Sequence, residues 1–176
     1  MSTGPCNGIT IRPIRAEDKG LIVEAFRGLE PRSIYLRFFF DKKELSDAEL
    51  RRLTEPDKAR EAVLVATIPT GNGERIVGLG RYTGNEECAQ LAFTVEEDFQ
   101  GRGIATRLLG GLIQLARASG ISRFEAHVLA GNGPMLSVLR HSGLPATERE
   151  KDGIVTVTLA LNAMPPSNSD RNPTIR

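Results

Sequence analysis

The 176-residue sequence predicts a single α/β (α+β) domain, a mixed and mostly antiparallel β-sheet flanked by helices. Three observations lead there. Short runs with β-type character recur along the chain, stretches with helical apolar spacing lie between them, and one strand passes through a glycine-rich turn directly into a long apolar helix.

In chain order, Ile9 to Ile14 alternates like a strand, and Pro13 suits a sheet edge because it offers no N–H to a neighbour. A helix is expected from Glu17 to Leu29, stopping before Pro31, and Ser33 is placed to cap a second short helix through Ile34, Leu36, Phe38 and Phe39. Ser46 followed by Glu49 has the spacing of a capping box and starts a helix that ends before Pro56. Ala62–Ile68 reads as a strand, Gly71-Asn72-Gly73 as a turn, and Arg75–Tyr82 as the returning strand of a hairpin. Ala89–Val95 is the next strand, with Leu91, Phe93 and Val95 on one face and Gln90, Ala92 and Thr94 on the other. Leu108, Leu112 and Leu115, with Leu109 and Ile113 beside them, give a core-facing helix that Gly120 ends. Phe124–Leu129 is a strand, Asn132 or Gly133 opens a helix with Pro134 in its first turn, and a final strand lies within Gly153–Leu161. The ordered domain is expected over residues 9–161, between flexible tails at 1–8 and 162–176.

Composition narrows the function. Lysine and arginine total 23 against 22 acidic residues, which offers no overall basic footprint for nucleic acid. Two cysteines, Cys6 and Cys88, and two histidines, His127 and His141, supply neither a disulfide framework nor a metal site. The N-terminus has no basic and apolar leader pattern, and the longest apolar stretch, around Ala62–Ile68, is too short to cross a bilayer. The expectation is a soluble, cytoplasmic, metal-free protein, a monomer or homodimer, without membrane or nucleic-acid partners.

The most informative segment is FTVEEDFQGRGIATRLL, residues 93–109. A strand leads through Gln100-Gly101-Arg102-Gly103-Ile104-Ala105 into a helix, so unpaired N–H groups converge at the positive end of a helix dipole. Glycines remove the Cβ atoms that would hold a phosphate away from those amides. The dinucleotide fingerprint requires a third glycine where Thr106 stands, and no Lys-Ser or Lys-Thr follows to make a P-loop. A purely conformational glycine turn stays open at this point.

The order strand, Gln100–Ala105, apolar helix, strand and Asn132-led helix resembles the GNAT superfamily of N-acetyltransferases, whose Gln/Arg-x-x-Gly-x-Gly/Ala motif is matched by Gln100, Gly103 and Ala105. Within it, the chain is most similar to the acetyltransferase domain of bacterial Pat-type protein-lysine acetyltransferases, through Ile11–Arg15, Tyr35–Phe39 and Asn132–Met135. The resemblance covers residues 9 to about 161 and implies acetyl-CoA as cosubstrate. Pyrophosphate would lie against Gln100, Gly101, Arg102, Gly103, Ile104, Ala105 and Thr106; the backbone of Phe93, Thr94 and Val95 would hold the pantetheine arm; and Asn132 would contact that arm, a role that competes with helix capping. Arg102 and Arg107 would help neutralise phosphate. At 176 residues the chain is expected to lack the second, regulatory domain that many Pat-type proteins carry.

Acetyl transfer to an amine needs the neutral base. A lysine-like amine of pKa about 10.4 is neutral in roughly one molecule in 2,500 at pH 7, a cost of about 4.6 kcal/mol. Pat-type domains carry a glutamate in an Ala-Glu-x-Ala-Phe run, and here the run is Ala89-Gln90-Leu91-Ala92-Phe93. Gln90 orients a water or an amine but accepts no proton at neutral pH. Glu86 or Glu87 acting through water, His127, His141 or Cys88 are the substitutes to weigh, as is catalysis by positioning alone. The acidic residues Glu86, Glu87, Glu96, Glu97 and Asp98 would favour a cationic amine, either a protein lysine or a small molecule. The rival expectation is a non-catalytic acyl-CoA sensor or interaction module.

Overall fold

The computed structural model describes residues 8–38 and 42–162. Along the chain these form β1 (Thr10–Pro13), a 3-10 turn (Ala16–Asp18), α1 (Lys19–Arg27), α2 (Pro31–Phe38), α3 (Asp47–Thr54), β2 (Glu61–Thr70), β3 (Gly73–Gly84) and β4 (Ala89–Val95). A second 3-10 turn (Glu97–Phe99) leads to α4 (Ile104–Ala118), β5 (Arg123–Leu129), α5 (Gly133–Arg140), β6 (Ala146–Lys151) and β7 (Ile154–Ala160). Cys6, Phe39 and nearly all of the two expected tails lie outside the described residues.

One mixed sheet runs in the order β1-β2-β3-β4-β5-β7-β6. Every neighbouring pair is antiparallel except β4 and β5, which α4 joins as a crossover. A register shift between Ala66 and Thr67 sets the faces of β3: Ile76 packs toward α1 and α3, whereas a Cβ on Gly78 or Gly80 would meet α4. Gly78 and Gly80 let α4 lie close, since a Cβ on Gly80 would come within 3.0 Å of the Phe93 ring and 3.1 Å of Leu112. α4 buries Ile104, Leu108, Leu109, Leu112, Ile113 and Ala116 against the larger core. On the opposite face Ile22 packs with Val65 and Ile76.

Several elements match their expected form. Pro13 sits on an edge strand, Ser46 and Glu49 cap α3 reciprocally at 3.2 and 2.7 Å, and Asn132 caps α5 by accepting the Met135 N–H at 3.3 Å. Others differ. The helix expected from Glu17 begins at Lys19, because Asp18 is drawn into a bidentate pair with buried Arg12 (2.8 and 2.9 Å) and also accepts the Arg15 N–H at 2.7 Å. Arg12 bonds Glu74 as well, tying β1 to β3. Ser33 does not cap α2, which starts at Pro31 with proline's preset φ. Leu115 is 39% exposed: the last turn of α4 buries Ala116, about 100° away around the helix. The edge strand β6 was not expected. All six of its residues are exposed, so it carries no apolar alternation, and it is formed by the Asp152-Gly153 hairpin turn, both residues at positive φ.

Candidate functional site

The alternation of backbone bonds along β4 creates the site. Glu96 donates its N–H to the Val77 carbonyl at 2.9 Å, so even-numbered residues of β4 bond to β3, and the N–H and C=O groups of Leu91, Phe93 and Val95 point toward β5. β5, however, pairs with β4 only at Ala89–Phe124 and Gln90–Glu125. Beyond that rung the two strands part and leave an open edge of main chain, with the α4 N-terminus at its far end.

A cavity of about 920 Å³ fills this opening. Leu91, Phe93, Thr94 and Val95 line it from β4, and Ala126, His127 and Val128 from β5. The Phe93 and Val95 side chains are buried in the core, so only their backbone is on offer to a ligand. Gly101, Gly103, Ile104, Ala105 and Thr106 line the turn. Gly101 (φ 75°) and Gly103 (φ 79°) are left-handed, and no side chain caps the helix. The first turn of α4 is closed by Arg107 N–H donating to the Gly103 carbonyl at 3.0 Å, so the N–H groups of residues 104–106 have no helical partner. That is an anion-binding arrangement.

Other expected residues take more specific positions. Gln100 lines the cavity, but its Nε2 donates to the Val95 carbonyl at 3.0 Å and fastens the end of β4 to the turn. Arg102 does not line the cavity; its guanidinium stacks 4.9 Å above the Phe99 ring. Arg107 does not line the cavity either, and both its terminal nitrogens lie 3.3 Å from the Ile9 carbonyl. Asn132 lines the cavity and caps α5 at once.

Glu87 is exposed in the β3–β4 turn, outside the cavity lining, with its N–H bonded to Asn85 Oδ1 at 2.9 Å. Cys88 does not line the cavity either, and His141 is an exposed C-cap whose Nδ1 donates to the Ser137 carbonyl at 2.7 Å. The acidic residues fall into two groups: Glu87 and Glu96 lie beyond opposite ends of β4, whose seven residues span about 20 Å at 3.3 Å per residue. Glu96 is paired with Arg75 at 2.5 Å, and Glu97 accepts the Glu30 N–H at 3.0 Å.

Sequence reading missed the groups on the α2 side of the cavity: Arg32, Ser33 and Arg37 of α2, and Arg81 and Thr83 of β3. Burial and the nearby Arg81 charge push the Arg37 guanidinium down to about 10. The Arg81 Nε is buried without a hydrogen-bond partner among the described residues. It also missed Glu125, although the alternation of buried Phe124, Ala126 and Val128 with Glu125 and His127 was a readable signal for that face.

A parallel strand pair that parts beside a glycine-led helix N-terminus, within a mixed sheet, defines the acetyltransferase fold of the GNAT type. The chain belongs to that family: the model described as "Acetyltransferase (GNAT) family" matches residues 29–144. It is 31% identical to Acetyltransferase PA5475 of Pseudomonas aeruginosa over 129 residues, 72% of this chain and 69% of that protein. It is 34% identical to Acetyltransferase Pat of Mycolicibacterium smegmatis over 149 residues, spanning 82% of this chain and 43% of Pat. Among solved structures, the GNAT domain of S. lividans PAT superposes with a TM-score of 0.76 at 30% identity, over 85% of this chain and 89% of that one. At 20% identity, Salmonella typhimurium yncA with its cofactor acetyl-CoA shares the fold (TM-score 0.71, covering 90% of this chain and 96% of that one). Among the described residues, no helix is long and apolar enough to cross a membrane, and no cluster of three metal-ligating side chains occurs.

Proposed function

We propose that residues 9–161 form an acetyl-CoA-dependent N-acetyltransferase domain that transfers the acetyl group to an amine by direct attack on the thioester, in the cytoplasm, where acetyl-CoA is available. The observation that carries this reading is the open main-chain edge of β4 beyond the Gln90–Glu125 rung, centred on Phe93 and running to the uncapped N-terminus of α4. A pantetheine arm carries amides that pair with such an edge as a further strand would, and its pyrophosphate matches the N–H groups of Gly103, Ile104, Ala105 and Thr106. Phe93 to Val95 then hold the thioester where a main-chain N–H polarises its carbonyl. Gln100 keeps the Val95 carbonyl engaged and the turn in place, and Asn132 meets the arm from the α5 side. The likeness to Pat favours a protein lysine as acceptor; a small amine is the second candidate.

Calorimetry with acetyl-CoA, together with thiol release against lysine peptides and small amines, tests the reading. The expected result is binding and thiol release by the wild type and loss of binding in Gly103→Glu, which sets a carboxylate against the phosphates. Equal or absent binding in both proteins would refute it. Binding without turnover, with turnover gained in Gln90→Glu, would make the chain an acyl-CoA sensor instead.

A further inference from the structure

On the α2-bearing face of the sheet, three strands bring four side chains into a hydrogen-bonded row. Gln90 Nε2 donates to Glu125 Oε1 at 3.1 Å, His127 Nε2 lies 3.2 Å from the same oxygen, and His127 Nδ1 is 3.1 Å from Thr156 Oγ1. Register dictates the row. Gln90 and Glu125 face each other across the last paired rung before β4 and β5 part, and His127 opposes Thr156 on β7. Gln90 and His127 both line the cavity. Glu125 is not itself among the residues that line the cavity; its carboxylate stands one strand over from the position at which the resembled domains carry theirs, bonded to two side chains that do line it.

The arrangement leaves one oxygen in reserve. Oε1 has both contacts, while Oε2 of Glu125 has no protein partner among the described residues. The side chain is 29% exposed, accessible to an amine or to an ordered water. With its N–H at Nε2, His127 donates to Glu125 while the Thr156 hydroxyl donates to Nδ1, so each contact of the row joins a donor to an acceptor.

We infer that Glu125 takes the acceptor's proton in this enzyme, with Gln90 and His127 as positioning residues that fix its carboxylate. The inference rests on the acetyltransferase reading above. The ammonium gives one proton to Glu125, and the neutral nitrogen attacks the thioester carbon. The new C–N bond forms as the C–S bond breaks; the second nitrogen proton goes to the departing thiolate, and Glu125 returns its proton to solvent. The titratable and charged groups on the neighbouring elements are His127 on β5, Arg149 on β6 opposite Thr156, Arg81 on β3 with Glu61 3.5 Å from it, and Arg32 and Arg37 on α2.

The test uses the full chain, Glu125→Gln, and the exchanged pair Gln90→Glu/Glu125→Gln. Acetyl-CoA binding is measured by calorimetry. Thiol release is followed between pH 6 and 9 with n-butylamine, which is protonated at neutral pH, and with aniline, which is not. Glu125→Gln is expected to bind acetyl-CoA like the wild type, to lose roughly 10²-fold in turnover of n-butylamine and to lose little with aniline, the size expected of a general base. Its deficit shrinks as pH rises and free amine accumulates, and the exchanged pair recovers most of the activity by returning the carboxylate to β4. Unchanged n-butylamine turnover in Glu125→Gln, an equal loss for both amines, or a wild type that binds acetyl-CoA but acetylates neither amine would overturn the assignment. Absence of acetyl-CoA binding by the wild type would overturn the acetyltransferase reading itself.

Discussion

Adding one methyl group at Gly103 and one at Gly110 separates backbone conformation from packing. A Cβ at either position meets nothing within 4 Å, so neither substitution creates a clash. Gly103 sits at φ 79°, where an L-residue pays about 1–2 kcal/mol, whereas Gly110 lies exposed inside α4, where alanine is favoured by about 1 kcal/mol. Gly103→Ala is therefore expected to lower stability and Gly110→Ala to raise it, a spread of about 2–3 kcal/mol, or roughly 4–12 °C in Tm for a domain of this size. Binding adds a second signature. If the strained turn relaxes to negative φ, the N–H groups of residues 104–106 swing off their common focus, and losing one charge-assisted bond of about 1.5–3 kcal/mol weakens acetyl-CoA by roughly 10- to 100-fold. Gly110→Ala leaves affinity unchanged. Thermal unfolding and calorimetry on both variants decide the matter: a Gly103→Ala protein as stable as wild type and binding with wild-type affinity would refute the role given to the left-handed turn.

Gly80→Ala brings a methyl to 3.0 Å from Phe93 and 3.1 Å from Leu112, so chemical denaturation should register a loss of about 1–3 kcal/mol from overpacking. On α4, Leu108→Ala should cost about 2–5 kcal/mol, while Leu115→Gln should stay within about 0.5 kcal/mol, because only the first side chain is buried. The Arg12 guanidinium holds the Asp18 carboxyl below the usual carboxylate range, and Glu74 likewise. Since folding lowers these pKa values, their stabilisation is complete above the unfolded values of about 3.9 and 4.3 and is lost as pH falls through the folded ones. Asp18→Asn should cost about 3 kcal/mol near pH 7, the low end for a broken buried pair because Glu74 remains with Arg12, and acid unfolding curves should show a flatter pH dependence below pH 4.

Local pattern carried most of this architecture. The alternation in Ala89–Val95, the glycines at 101 and 103 and the spacing from Leu108 onward are properties of neighbouring residues, and they place β4, the turn and α4 without reference to any tertiary contact. What stayed illegible depends on elements far apart in sequence. Gln90 and Glu125 meet because a parallel pair has one particular register, 35 residues apart, and nothing local encodes that rung. The partner of Arg107, the Ile9 carbonyl 98 residues away, is likewise invisible in the helix pattern. β6 escaped for the opposite reason: its pairing with β7 and its Asp-Gly turn define it, while its exposed side chains carry no burial signal.

The β4 and β5 main chains pair at only two positions, between a four-stranded part of the sheet, β1 to β4, and a three-stranded part, β5 to β7, while α4 and one continuous core pack across both. A ligand lying between them would serve as a borrowed strand, present in the native state and absent from the chain. Cosubstrate binding would then tie the two parts of the sheet where their main chains diverge, so that amides on both sides of the opening gain hydrogen-exchange protection together.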